Sequence, residues 1–272
     1  MLRTPLRRSE IVTRTRHRRF SGDVRILGVV DSTLDLIADL ARKGAPDGTV
    51  IVAEGQRRGR GRRGGVWAST SGEGVYFTAL IRPAPTGAAA QLLAGAAGLA
   101  AAAAVRATSG LDAKLKWPND IWVAGRKVGG ILIETASGDD GYAAIGVGIT
   151  LVAPRVGDAP PGVAPISGLS DFLPFPPSRE AIVVALLDTL AERLSALVEQ
   201  PEALRAEYRE RDALRGLSVV LDLPDGPIAG IVRDVDLLDG IELERQDGGR
   251  FRIRAALAHV AAVVRDERQT GA

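Results

Sequence analysis

Glycine and arginine alternate in a short segment that directly follows an apolar run. Residues 55–67 read GQRRGRGRRGGVW, and they come after the predicted strand 49–53. Glycine lets the backbone approach a ligand closely, and arginine offers planar, permanently charged donors for phosphate or carboxylate. The segment therefore predicts a loop that can wrap around an anion. A plain exposed basic loop is the alternative interpretation.

The same segment contains the spacing G-x-G-x-x-G, at Gly59, Gly61 and Gly64. In dinucleotide-binding folds these glycines open an apolar helix. Here the sequence that follows is VWASTSG, residues 66–72, which has no helical periodicity. The spacing is therefore weak evidence for a dinucleotide site.

A second motif is Lys116-Trp117-Pro118-Asn119-Asp120. Proline fixes its own φ and disfavours a helical conformation in the residue before it. We therefore expect Lys116 at the end of a strand, where a fixed cation can meet a carboxylate or a phosphate. The alternative is an ordinary strand, turn and strand with an incidental surface lysine.

Glycines also interrupt two predicted strands, at Gly129-Gly130 and at Gly146 and Gly148. Such glycines indicate close approach of a ligand or of another backbone, although simple sheet packing would explain each pair alone. The residues Asp31-Ser32-Thr33 precede a predicted helix. They are either an N-cap or a polar ligand site made with the helix amides.

Composition argues against several kinds of binding and catalytic site. The chain has 272 residues, 46% of them hydrophobic, and a net charge of +2, which is too mild to imply nucleic-acid binding. It has no cysteine, and its two histidines are His17 and His259, which argues against thiolate metal sites and histidine-based triads. We predict no metal site made by the protein alone.

Amides, hydroxyls and fixed cations without a catalytic acid pair suit phosphoryl or adenylyl transfer by positioning and electrostatics. A carboxylate that attacks the α-phosphate of ATP would be steered by Lys116 and the loop arginines. Magnesium would neutralise the phosphates with few protein ligands.

The elements predict an α+β fold with a mixed sheet and flanking helices rather than a doubly wound parallel sheet. We expect a basic, flexible tail at residues 1–20, a catalytic domain at 21–215, and a small β-barrel at 216–272. The alanine-rich stretch 88–107 predicts a buried helix rather than a membrane span. No secretory signal is evident, so a soluble cytoplasmic protein is expected.

The Gly/Arg segment, the Lys116 motif and Arg126-Lys127-Val128-Gly129-Gly130-Ile131-Leu132 together resemble the motifs of biotin protein ligases. The resemblance runs from about residue 30 to residue 264. It implies a class II synthetase-like catalytic domain followed by an SH3-like domain. It also implies that ATP activates biotin to biotinoyl-5′-AMP, and that a lysine of a biotin carboxyl carrier domain then accepts the biotin.

The resemblance assigns roles to individual residues. Lys116, Arg60 and Arg62 would be catalytic, and the Gly/Arg loop would fold over the adenylate. The implied contacts to biotin or its adenylate are Ser32, Thr33, Leu34, Gln56, Gly59, Arg60, Gly61, Arg62, Arg63, Trp67, Lys116, Asn119, Asp120, Lys127, Gly129, Gly130, Ile131, Gly146, Gly148 and Thr150.

The sequence departs from the family pattern at Leu34, Gly65 and Thr150, where the family commonly has asparagine, arginine and asparagine. Fewer than about thirty residues precede the catalytic domain, so we expect no winged helix and no DNA-binding role. No membrane partner is expected, and a homodimer is possible. The alternatives are a lipoate or octanoyl ligase of the same fold, and a non-catalytic module that binds biotinoyl-adenylate.

Overall fold

The computed structural model describes residues 4–138, 140–154, 166–254 and 259–264. Five helices are described, namely α1 Arg8–Arg14, α2 Thr33–Arg42, α3 Gly87–Ser109, α4 Arg179–Glu199 and α5 Pro201–Glu210. The strands of a first sheet are β1 Val24–Val30, β2 Val50–Gln56, β3 Gly74–Ile81, β4 Ala113–Lys116, β5 Asp120–Val123, β6 Arg126–Ala136 and β7 Tyr142–Thr150. A second sheet contains β8 Ser218–Asp222, β9 Ile228–Asp236, β10 Gly240–Glu244, β11 Arg250–Ile253 and β12 His259–Val264.

The first sheet is mixed, with the strand order β1-β2-β3-β7-β6-β5-β4. Strands β1 and β2 are parallel and are joined by α2, whereas every other neighbouring pair is antiparallel. Hairpins therefore make most of the connections. The predicted α+β class with a mixed sheet is confirmed.

Helices α3 and α4 pack against each other and, with the sheet, enclose the main core. Alanine dominates α3, and its small side chains allow this close packing; Gly110 ends the helix in a left-handed conformation, φ 72°. By length and composition α3 could cross a membrane, but 67% of its most apolar window is buried inside the protein. It is a core helix here, as predicted.

The N-terminal segment differs from the prediction. Residues 4–20 were expected to form part of a flexible tail, but they contain α1 and a short 3₁₀ helix, Arg18–Phe20. Leu6, Ile11 and Phe20 are buried in the main core. The prediction is therefore wrong for residues 4–20, because three well-spaced apolar side chains outweigh the solvation of the arginines between them.

The second sheet is antiparallel, with the order β11-β10-β9-β8-β12. Glycine turns connect its strands, including Gly226, Gly240 and Gly248, which all have positive φ. The sheet is consistent with the expected SH3-like domain. Helix α5 packs on β9, and a cluster of arginine and aspartate side chains fills this junction.

Candidate functional site

A cavity of about 420 Å³ opens beside the Gly/Arg segment. Its walls come from the start of α2, the end of β2, the turn between β4 and β5, and the middle of β6 and β7. Val260 and Ala261 of β12 add an edge from the second sheet. The segments singled out by the sequence therefore meet at one place.

Two lysines and one carboxylate form the charged end of this cavity. Lys127 Nζ lies 2.7 Å from Asp120 Oδ1, and Lys116 Nζ lies 3.6 Å from Asp120 Oδ2. Lys116 Nζ also donates to the Val260 carbonyl at 3.4 Å. Burial lowers the pKa of Lys116 below its ordinary value, with Asp120 opposing this shift and Lys127 adding to it. One carboxylate thus serves two cations.

The backbone around Lys116 is held on both sides. On one side, Leu115 exchanges backbone hydrogen bonds with the linker after α5: Leu115 N donates to Arg211 O, and Ala213 N donates to Leu115 O, both at 2.8 Å. On the other side, the Asn119 side-chain amide donates to Ile131 O at 2.8 Å. Lys116 therefore ends a strand that cannot shift easily, as its motif predicted.

The Gly/Arg segment forms a narrow hairpin over the cavity. Trp67 N donates to Gly59 O at 2.9 Å, and Gly61 N donates to Gly65 O at 2.7 Å. At Gly59 a Cβ would lie 2.7 Å from Ser69 Oγ, so the returning strand leaves room only for glycine. We name residues 59–67 the hairpin.

The arginines of this segment have different partners. Arg57 and Arg58 pair with Asp31 outside the cavity. Arg60 pairs with Asp35 of α2 at 2.8 Å and with Glu134 of β6 at 2.6 Å, which ties the hairpin to both walls.

Arg62 lies deeper, on the cavity wall, where its Nη1 donates to Asn119 Oδ1 at 3.4 Å. Burial lowers the pKa of Arg62, and the neighbouring Arg63 lowers it further. Arg60 thus fastens the hairpin, whereas Arg62 adds a positive charge to the charged end.

The opposite end of the cavity is polar but uncharged. Gln56 Oε1 accepts from Thr33 N at 2.9 Å and from Thr33 Oγ1 at 3.0 Å, and Gln56 Nε2 donates to Ser69 Oγ at 2.9 Å. The buried Ser32 Oγ has no hydrogen-bond partner within the residues that the structure describes. This end offers amide and hydroxyl groups at the start of α2.

Glycines form the floor between the two ends. A Cβ on Gly148 would lie 2.5 Å from the Trp67 indole, and one on Gly130 would lie 3.1 Å from it. A Cβ on Gly146 would lie 3.1 Å from Leu34. The glycines of β6 and β7 therefore make room for Trp67 and Leu34, which explains why they interrupt these strands.

Most of the predicted contacts line the cavity, and four do not. The lining ones are Thr33, Leu34, Gln56, Arg60, Gly61, Arg62, Arg63, Trp67, Lys116, Asn119, Asp120, Lys127, Gly130, Ile131, Gly146 and Gly148. Ser32 is buried just before α2, Gly59 packs against Trp67 and Ser69 at the base of the hairpin, Gly129 lies against Ile121, and Thr150 pairs with Gly74 at the end of β7.

Sequence reasoning missed several residues that build the site. Asp35 and Glu134 fasten Arg60, and Ser69 orients Gln56. Val260 and Ala261 come from the far end of the chain. Spacing gives no signal for such partners, because their sequence separation is large and their residue types are common. Among the described residues, no group of three His, Cys, Asp or Glu side chains could hold a metal ion.

Comparison with known proteins assigns the family. The sequence pattern of the biotin/lipoate A/B protein ligase family matches residues 27–149. A biotin--[acetyl-CoA-carboxylase] ligase of Mycobacterium tuberculosis is 35% identical over 78% of this chain and 80% of that protein. The bifunctional ligase/repressor BirA of Salmonella typhimurium is 32% identical over 87% of this chain and 76% of its own.

A solved structure agrees with this assignment. The biotin protein ligase from Aquifex aeolicus, in complex with biotin and ATP, superposes with a TM-score of 0.73 and 25% identity, covering 90% of this chain and 100% of that one. With the relatives above, this identifies the chain as a member of the biotin protein ligase family.

Proposed function

We propose that the protein activates biotin with ATP to biotinoyl-5′-AMP and transfers the biotin to a lysine of a biotin carboxyl carrier domain. The observation that carries the proposal is the charged end of the cavity. There Lys116 and Lys127 share the single carboxylate of Asp120 beneath the hairpin. The two ammonium groups carry one positive charge more than Asp120 neutralises, and a bound anion balances it.

The polarity of the cavity orients biotin. The ureido ring of biotin is neutral and carries amide-like donors and an acceptor, which match the groups of Thr33 and Gln56. The valerate chain then runs past Trp67 and Leu34, which pack on the glycine floor, toward Lys116, where its carboxylate meets the cations. The α-phosphate of ATP comes to the same place from the side of Arg62.

In the first step a carboxylate oxygen of biotin attacks the α-phosphorus, and pyrophosphate leaves. Negative charge grows on the α-phosphate oxygens, and Lys116 lies where it can stabilise that charge. Its backbone is fixed and its side chain is mostly buried, 14% exposed, so little reorganisation is needed as the charge develops. Lys116 is thus assigned to the transition state.

In the second step the neutral amine of the carrier lysine attacks the biotinoyl carbonyl carbon, the bond to the phosphate oxygen breaks, AMP leaves, and the amine nitrogen releases one proton to solvent. The hairpin covers the mixed anhydride between the two steps. Arg60 holds it closed through Asp35 and Glu134, so water is kept from the reactive carbonyl.

ATP would bind as its magnesium complex, with the triphosphate supplying most of the ligands of the ion. We place the reaction in the cytoplasm, where ATP and carrier domains occur together. If the protein dimerises through a sheet edge, β1 is the edge to test, because residues 211–213 cover β4.

The test is incubation of the purified protein with ATP, magnesium, biotin and an apo carrier domain, followed by mass spectrometry. We expect one biotinyl increment on one carrier lysine. Lipoate or octanoate added in its place would indicate the sibling activity of the same fold. Biotin binding with no transfer and no pyrophosphate would indicate a non-catalytic binding module.

A further inference from the structure

The N-terminal segment is bound to the catalytic domain through buried carboxylates. We name residues 4–20 the strap. Glu54 Oε1 accepts from Leu6 N at 2.7 Å, and Glu180 Oε1 accepts from Arg7 N at 3.2 Å. At the other end of the strap, Asp188 Oδ1 accepts from Arg16 N at 2.8 Å and from His17 N at 3.2 Å. Asp188 Oδ2 also accepts from Arg16 Nε at 3.2 Å, so the three carboxylates hold the main chain of the strap and, at Arg16, a side chain as well.

Glu54 differs from the other two carboxylates in its position. It lies in β2, two residues before Gln56, whereas Glu180 and Asp188 lie on α4. Its second oxygen accepts from Arg179 Nη1 at 2.6 Å, and Arg179 Nη2 donates to Thr4 O at 2.8 Å. Arg179 is only 7% exposed and Glu54 only 17%. The strap, the start of α4 and β2 therefore meet at this carboxylate.

Short contacts connect Glu54 to the uncharged end of the cavity. Its carbonyl accepts from Gly72 N at 2.8 Å, and Gln56 N donates to Ser69 O at 3.1 Å. Between them, a Cβ on Gly55 would lie only 3.0 Å from Ser69 O, so the two chains are in close contact. The end of β2 and residues 69–72 must move together, and Gln56 must move with them.

We propose that Glu54, held by the strap and Arg179, is a positioning residue that sets Gln56 for biotin. This rests on the proposed function, in which Gln56 and Thr33 receive the ureido ring. Glu54 does not reach the cavity and acts only through the backbone of β2. The strap thereby supports the biotin site indirectly, since none of its residues lines the cavity.

Two matched variants test the proposal, Glu54→Gln and Asp188→Asn. Each replaces a carboxylate that binds the strap with an amide, which weakens its hydrogen bonds to the strap. Only Glu54 lies on β2, the strand that carries Gln56. Biotin affinity is measured by calorimetry, the KM for ATP at saturating biotin by pyrophosphate release, and Tm by thermal unfolding. Both variants are expected to lower Tm. Only Glu54→Gln should weaken biotin binding, on the order of tenfold, with the KM for ATP within about twofold.

Equal biotin affinity in wild type and Glu54→Gln would overturn the inference, and so would an equal loss in both variants. If Glu54→Gln does not fold, Arg179→Lys replaces it, because lysine cannot reach both Glu54 and Thr4 with one forked group; the same selective loss of biotin affinity is expected. Wild-type protein that binds no biotin would overturn the proposed function and this inference with it.

Discussion

Two clusters in this molecule each place two cations around one carboxylate, but they differ in which group is buried and how it is paired. At the junction of α5 and the second sheet, the fully buried Asp236 accepts two hydrogen bonds from the Arg205 fork, each 3.0 Å, and Arg209 adds a contact of 2.6 Å. Burial alone would raise the pKa of Asp236, but the hydrogen bonds from Arg205 and from two backbone amides lower it below its ordinary value.

The cavity shows the reverse arrangement. There the buried group is the cation Lys116, and it shares Asp120 with Lys127, so burial prevails and the pKa of Lys116 falls. A buried ion whose hydrogen bonds and counter-charges are all supplied by the protein, as at Asp236, stabilises the fold. A buried ion that shares its only counter-charge, as at Lys116, can gain a further counter-charge from a bound ligand.

The largest effect is expected for Lys116→Ala. Loss of one charge contact in the transition state typically costs about 3 kcal/mol, or about a hundredfold in the rate of adenylation, measured as pyrophosphate release. Lys114→Ala is the matched control, because Lys114 lies on the same strand but is 46% exposed, pairs with Asp112 and does not line the cavity. A near-normal rate in the Lys116 variant would refute its role.

In the other cluster, Asp236→Asn should act on stability instead. It leaves Arg205 and Arg209 without their buried counter-charge, and we expect the free energy of unfolding to fall by about 3 kcal/mol in urea titrations. The adenylation rate per folded molecule should stay within about twofold. A slow but stable variant would show that the junction takes part in the chemistry.

A third carboxylate, Asp212, sharpens the comparison because it is half-buried and, among the described residues, no arginine fork binds it. Burial raises its pKa to about 6, although backbone amides of residues 213–215 oppose the shift. A raised carboxyl pKa means that the folded protein binds the proton more tightly than the unfolded chain. The stability penalty from this group is therefore complete above pH 6 and shrinks as the pH falls toward 3.8.

We expect Asp212→Asn to be stabilised relative to wild type by about 2 kcal/mol more at pH 8 than at pH 4, in unfolding titrations at both pH values. The asparagine oxygen can still accept from the backbone, so the fold should be kept. A difference between variant and wild type that does not change with pH would contradict this assignment of the buried charge.

The smallest effect is expected for Arg60→Ala. Its pairs with Asp35 and Glu134 are partly exposed, so their loss should cost no more than about 1 kcal/mol. The adenylate should dissociate about fivefold faster, measured by release of labelled biotinoyl-AMP, while the rate of its formation changes less. An unchanged off-rate would count against the hairpin as a lid.

Much of the fold was predictable because glycine and proline mark the ends of several helices and strands. The strand predicted at 49–53 is β2, Val50–Gln56, and the buried helix predicted at 88–107 is α3, Gly87–Ser109, which ends at Gly110. The position of Lys116 was likewise predictable, because Pro118 restricts the backbone beside it. These are local effects, and a single sequence carries them.

What the sequence could not predict depends on distant partners. The strap looked like a solvated basic tail because its ligands, Glu54, Glu180 and Asp188, lie far along the chain. Likewise, the alternation of Gly and Arg does not distinguish Arg60, which fastens the hairpin, from Arg62, which lines the cavity. Each outcome depends on which carboxylate the fold brings near, and that is set by tertiary structure.

The most direct test of the central claim is the titration of Lys116 by NMR of the side-chain ammonium groups. The chain has only four lysines, Lys43, Lys114, Lys116 and Lys127, so their signals can be assigned by substitution. We predict a pKa for Lys116 below its ordinary value in the free protein, and a rise when a stable analogue of biotinoyl-AMP binds. An ordinary pKa in the free protein, or no rise on binding, would contradict the account.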